Sequence, residues 1–90
     1  MPEQTSLRDT VLSRAARILE VAPGELRTQP ALDAHPTFSS FRMVDLVEEL
    51  EQDLDVTFDA ADLTIDNLRH LDRLTDLAAR AVEARTTQAV

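Results

Sequence analysis

The sequence contains no cysteine, tryptophan, tyrosine or lysine, and it has only one glycine among its 90 residues. Without cysteine, the chain itself can form no disulfide and no thiolate zinc site, and it has no thiol nucleophile. Any thiol chemistry must therefore come from an added group. A glycine-rich phosphate loop is also excluded, because Gly24 is the only glycine.

Aromatic residues are scarce, since three phenylalanines are the only ones. The core must then be built from leucine, valine, isoleucine and alanine, which suits packed helices better than a β-sandwich or barrel. A chain of this length holds one modest core. We expect a single all-α domain over residues 1–90, with an ordered core of about 5–85 and a loose tail from Thr86 onward.

Long apolar runs are missing as well. No stretch approaches the roughly 18 apolar residues of a membrane span, and residues 1–6 do not resemble a secretory signal. We therefore expect a soluble, cytoplasmic protein that does not bind membranes. The 17 acidic residues against nine arginines give a formal charge of −8. This charge argues against nucleic acid as a partner and favours proteins with basic surfaces.

The spacing of apolar residues predicts four helical stretches. These are a first helix over 6–20 that Thr5 or Ser6 can cap, a second from 39 or 40 to 54, a short third over 60–67 and a last over 71–85. Residues 21–39 contain three prolines and read as an ordered loop. A loop of this length in a small domain is commonly functional, although it can also be a simple connection.

The second helix has one apolar and one acidic face when it is drawn at 100° per residue. The apolar stripe consists of Met43, Leu46, Val47, Leu50 and Leu54, with Val44 at its margin. The opposite side carries Asp45, Glu48, Glu49, Gln52 and Asp53, beside Arg42. Phe41 lies away from the stripe in the first turn, so we expect it to be partly exposed for contact.

No constellation in the sequence predicts a catalytic or metal site. His35 and His70 are separated by a whole helix and lack a ligand-like spacing. The alternating residues Asp53, Asp55, Thr57 and Asp59 have the spacing of a calcium loop, but the loop's glycine position is Phe58 and its final glutamate position is Thr64. We expect neither a metal site nor an enzyme.

The stretch 37–58 carries the most specific pattern of the chain. It begins with Thr37-Phe38-Ser39-Ser40-Phe41 and continues, from Val44, as V-D-L-V-E-E-L-E-Q-D-L-D-V-T-F. This stretch resembles the acyl and peptidyl carrier proteins, in which a Gly-x-Asp-Ser-Leu turn opens an acidic helix reading roughly V-E-L-V-x-x-L-E-x-x-F-x-I-x-I. The similarity is ungapped here and extends more weakly over about 80 of the residues.

The resemblance implies a four-helix bundle with a long first loop and a short third helix. It also implies that Ser40 is the attachment site of a covalent 4'-phosphopantetheine, which suits the anion-binding character of a helix N-terminus. Ser39 is the rival, but it lies where an N-cap hydroxyl is used. Without the resemblance, both serines would be read as caps only.

The implied function is transport of an acyl or aminoacyl thioester between enzymes. The implied partners are a phosphopantetheinyl transferase, a loading enzyme, and acyltransferase or synthase modules. The surface that they would contact consists of Phe41, Arg42, Val44, Asp45, Glu48 and Glu49, on a protein that we expect to be monomeric. The acidic residues also fit a simpler role, a solvated face that keeps the protein soluble. An unmodified helical adaptor is the alternative function.

Several positions depart from the carrier pattern. Thr37 replaces glycine, Ser39 replaces aspartate and Phe41 replaces leucine. Arg42 stands where many members have an acid, and His70 stands where threonine commonly caps the last helix. The reversed charge at Arg42 makes fatty acid synthase partners doubtful and favours a discrete carrier of a polyketide or nonribosomal peptide pathway. Arg42 itself would pair with the arm's phosphate or a partner's carboxylate, or would simply be solvated.

Overall fold

The structure is a computed structural model that describes the backbone of residues 3–88 and the side chains of residues 7–85. Five α-helices and two 3₁₀ turns follow one another along the chain. The helices are α1 (Glu3–Leu19), α2 (Pro23–Thr28), α3 (Ser40–Leu54), α4 (Ile65–Leu68) and α5 (Leu71–Gln88), and the 3₁₀ turns are Leu32–Ala34 and Ala60–Asp62. No strand occurs in this part of the chain, which confirms the all-α prediction.

Helix α1 begins three residues earlier than predicted, so the backbone of Thr5 and Ser6 lies within the helix and not at its capping position. It ends at Leu19, and Glu20 follows with a left-handed φ of 58°. The backbone N–H of Val21 donates to Ala16 O at 3.0 Å, and that of Glu20 donates to Arg17 O at 3.2 Å. This is a Schellman ending, in which a glutamate occupies the position that glycine usually takes.

The prediction of one continuous loop over residues 21–39 was wrong. Helix α2 begins at Pro23, since proline fits the first turn of a helix and its missing N–H costs nothing there. Leu26 and Leu32 in this segment are fully buried. The segment is also hydrogen-bonded to the chain around the start of α5. Leu71 N donates to Pro30 O at 2.9 Å, and Leu32 N donates to Arg69 O at 2.7 Å.

The predicted short third helix is in fact two pieces. A 3₁₀ turn over Ala60–Asp62 is capped by the carboxylate of Asp59, which accepts from Ala61 N at 3.0 Å. Helix α4 then begins after Thr64, whose hydroxyl accepts from Asn67 N at 3.3 Å. Thr64 favours a cap over a helix interior, and this explains the interruption.

Helix α5 begins at Leu71 as predicted but runs to Gln88, beyond the predicted end at Arg85. Residues 86–88 are therefore helical, contrary to the predicted loose tail, and residues 89–90 lie outside the described range. His70 fills the capping position before this helix, because its ring Nδ1 accepts from Asp72 N at 3.2 Å.

The core lies between α1, α3 and α5 and is aliphatic apart from Met43 and Phe58. It consists of Val11, Leu12, Ala15, Ala16, Leu19, Leu26, Leu32, Met43, Leu46, Val47, Leu50, Val56, Phe58, Leu71, Leu74, Leu77 and Ala78. The α3 members are those of the predicted apolar stripe, except that Leu54 is only half-buried. Among the described residues, no helix is both long and apolar enough to cross a membrane.

Candidate functional site

The two serines at the start of α3 have different roles. Ser39 is the N-cap, with an extended backbone and a hydroxyl that accepts from Arg42 N at 3.1 Å. Ser40 is the first helical residue and is exposed. Its hydroxyl makes no hydrogen bond with any described residue. The Ser40 hydroxyl is therefore exposed and unengaged, while that of Ser39 already accepts a hydrogen bond.

The backbone at this helix start has unpaired donors. The N–H of Arg42 goes to the Ser39 hydroxyl, and that of Met43 goes to Ser39 O at 3.1 Å as the first helical bond. Within the described part of the chain, the N–H groups of Ser40 and Phe41 have no hydrogen-bond acceptor. The start of a 15-residue helix adds a partial positive charge. These groups are placed to bind the oxygens of an anion beside Ser40.

The start of α3 is joined to the end of α1 by polar side chains. Each of the last four carbonyls of α1 accepts a hydrogen bond. Those of Ala16 and Arg17 accept from the backbone N–H groups of Val21 and Glu20. That of Ile18 accepts from Arg42 Nη1 at 2.6 Å, and that of Leu19 accepts from Thr37 Oγ1 at 2.6 Å. Two of these four donors come from side chains beside Ser40. The end of α1 is thus completed by residues of the candidate site.

Arg42 makes two contacts with the end of α1. Besides its bond to Ile18 O, its Nη2 lies 2.9 Å from Glu20 Oε2. Its side chain is 34% exposed, so part of it still borders solvent. Its pairing with the arm's phosphate or a partner's carboxylate stays a prediction. The contacts with α1 are a role that the sequence did not suggest.

The predicted acidic surface divides into two parts. Asp45 and Glu48 are exposed and form no ion pair with any described residue. Glu49, by contrast, pairs with Arg17 of α1 and is only 24% exposed. Arg14 pairs with Asp53 in the same way, one turn further along, at 2.5 Å. Arginines of α1 therefore neutralise one edge of α3, and the other edge keeps its negative charge.

Two apolar residues of α3 are exposed beside the free acids. Phe41 is 77% exposed, as the sequence predicted, and Val44 is 55% exposed. Phe41 also lines an open groove of about 500 Å³ between the end of α1 and the start of α3, together with Arg17, Ile18, Glu20, Ser39, Arg42 and Asp45. Large apolar side chains in the open at a charged rim are typical of contact surfaces.

The residues considered for metal binding have structural roles. Asp53 pairs with Arg14, Asp55 is the left-handed C-cap of α3, and Asp59 caps a 3₁₀ turn. His35 Nε2 lies 3.0 Å from Gln29 O. Among the described residues, no group of three or more His, Cys, Asp or Glu side chains is placed to hold a metal ion.

Sequence reasoning missed two members of the site, Thr37 and Glu20. In the sequence, Thr37 stands out only as a departure from the carrier pattern. A hydroxyl residue just before a helix is nevertheless a usual hydrogen-bonding partner, and this was the available signal. Glu20 was placed inside the first helix, where nothing marks it as a left-handed residue. Comparison with known proteins adds no relative, because no family model, curated protein or solved structure matches the chain.

Proposed function

We propose that this protein is a cytoplasmic acyl carrier protein that holds its cargo on a 4'-phosphopantetheine arm attached to Ser40. In this proposal α1, α3, α4 and α5 are the four helices of the carrier bundle, and α2 is an additional helix in its first loop. The observation that carries the proposal is the exposed, unengaged Ser40 hydroxyl at the start of an acidic helix whose sequence resembles the carrier signature.

The attachment step is a phosphoryl transfer from coenzyme A. A bond forms between Ser40 Oγ and the phosphorus that bears pantetheine, and the bond from that phosphorus to adenosine 3',5'-bisphosphate breaks. The serine proton passes to a base of the phosphopantetheinyl transferase. On this chain, the exposed position of Ser40 gives the transferase access, and the N–H groups of Ser40 and Phe41 stabilise the phosphodiester.

The arm supplies the thiol that the chain lacks, and it carries an acyl or aminoacyl group as a thioester. The chain's own surface then determines which enzymes can approach. Phe41 and Val44 offer apolar contact, and Asp45 and Glu48 offer negative charge for a basic groove. Arg42 stands beside Ser40 at a position where many carrier proteins have an acid, which supports a partner other than a fatty acid synthase.

Incubation with coenzyme A and a promiscuous phosphopantetheinyl transferase, followed by intact-mass spectrometry, tests the proposal. We expect one added phosphopantetheine on the parent, none on Ser40→Ala, and most of the parent's labelling on Ser39→Ala, which loses only a helix cap. Labelling that survives in Ser40→Ala but not in Ser39→Ala would move the site to Ser39. A folded parent that is never labelled, beside a carrier that is, would favour the unmodified adaptor.

A further inference from the structure

The junction between α1 and α3 carries an inference that rests on the proposed function and concerns the presentation of Ser40. A carbonyl near the end of a helix has no partner within the helix and needs a donor from elsewhere. At the end of α1, the last two carbonyls receive theirs from Thr37, three residues before Ser40, and from Arg42, two residues after it. The modification site is therefore flanked on both sides by bonds to another helix.

Arg42 makes the more demanding of these contacts. One guanidinium nitrogen donates to Ile18 O at 2.6 Å while another lies 2.9 Å from the carboxylate of Glu20. A planar guanidinium can hold two such acceptors at once, and a lysine ammonium cannot reproduce that geometry. Glu20 is itself the left-handed residue that ends α1. Arg42 therefore contacts both the last turn of α1 and the residue that terminates it.

The contact also fixes the first turn of α3. The backbone N–H of Arg42 donates to the Ser39 hydroxyl at 3.1 Å, while its side chain contacts the end of α1. Backbone and side chain of this residue are thus both held, by different partners. Ser40 lies between the cap and this anchored residue and makes no side-chain bond of its own. The position of its backbone is consequently set by its neighbours.

We infer that Arg42 is a positioning residue, which locks the first turn of α3 to the end of α1 so that Ser40 is presented at one position to the transferase. Small displacements of a reacting group lower the rate of the chemical step more than they weaken binding. The exposed acids Asp45 and Glu48 lie beyond this first turn, so we expect them to stay in place when the guanidinium is removed. Replacing Arg42 should then lower the kcat of the transferase and leave its KM for this protein nearly unchanged.

Arg42→Met tests this inference, because methionine keeps an unbranched apolar chain and removes the guanidinium. Arg14→Met is the matched control: Arg14 also joins α1 to α3 by an ion pair and has similar exposure, but it touches no helix-terminal carbonyl. At saturating coenzyme A, we expect the kcat of the transferase to be about fivefold or more lower on Arg42→Met than on the parent, with its KM for the protein little changed. Arg42→Lys should recover part of the loss, and Arg14→Met should match the parent.

Amide hydrogen exchange gives a readout that does not depend on labelling. In Arg42→Met, the amides of Val21 and Met43 should exchange about fivefold faster or more, while that of Leu50 stays at the parent's rate. Equal kcat in Arg42→Met and the parent, or equal losses in Arg42→Met and Arg14→Met, would overturn the inference. A parent that accepts no phosphopantetheine would refute the proposed function, and exchange alone would then decide whether Arg42 locks the junction.

Discussion

Single residues that differ from the carrier pattern form hydrogen bonds within this chain. Thr37 and Arg42 donate to the last two carbonyls of α1. Ser39 caps α3, and His70 caps α5. Where the carrier pattern has aspartate and threonine, Ser39 and His70 are side chains that likewise accept a hydrogen bond from a helix N-terminus. Arg42 instead provides a contact between helices.

Thr37→Val should lower the free energy of unfolding by about 1 to 3 kcal/mol, because it leaves the carbonyl of a fully buried residue, Leu19, without its donor. Valine has nearly the shape of threonine, so packing changes little. Urea denaturation followed by circular dichroism measures the difference. Thr37→Ser keeps the hydroxyl and serves as the control; if it lost as much stability as Thr37→Val, the hydrogen bond would not be the cause.

Among the elements, α3 was the most accurately predicted and the segment before it the least. Its apolar residues recur at helical spacing over its whole length, and Ser39 marks its start, so both local signals agree. In residues 21–39 the signals conflict. Pro23 and Gly24 usually end a helix, whereas here they begin one, and the bonds from this segment to Arg69 and Leu71 depend on residues far along the chain.

The buried stripe of α3 makes a prediction about stability. Leu46→Ala and Leu50→Ala should each cost roughly 2 to 5 kcal/mol, since both side chains are fully buried and their removal leaves a cavity. Val44→Ala on the same helix should cost less than about 0.5 kcal/mol, because that side chain is largely exposed. Thermal or urea unfolding measures all three. Similar losses at Val44 and Leu50 would mean that the face of α3 is assigned wrongly.

At the scale of the whole molecule, the formal charge of −8 is unevenly arranged. Arg14 and Arg17 pair with acids along one edge of α3, and Arg8 of α1 pairs with Asp72 of α5. The sequence predicted the acidic face but could not show this division, because the pairs join residues that lie far apart in the chain. The described residues that keep free negative charge on α3 near Ser40 are Asp45 and Glu48.

This arrangement predicts that equal charge changes on α3 will have unequal effects. Glu48→Gln and Asp45→Asn should each lower kcat/KM for labelling about threefold or more at low salt, since exposed charges steer association. Glu49→Gln removes the same charge but one that Arg17 already neutralises, so its effect should be smaller. Rates at two salt concentrations measure this, and the losses should shrink as screening increases. A loss for Glu49→Gln equal to that for Glu48→Gln would contradict the division.

The packing of α1 against α5 has a consequence for folding during synthesis. Arg8 and Asp72, which join these helices, are separated by 64 positions in the sequence, and Arg85 of α5 donates to Leu54 O at the end of α3. Closing so long a loop is slow relative to forming local helices. A nascent chain therefore cannot complete its core until α5 has left the ribosome, and until then the apolar residues that α5 covers stay accessible to chaperones.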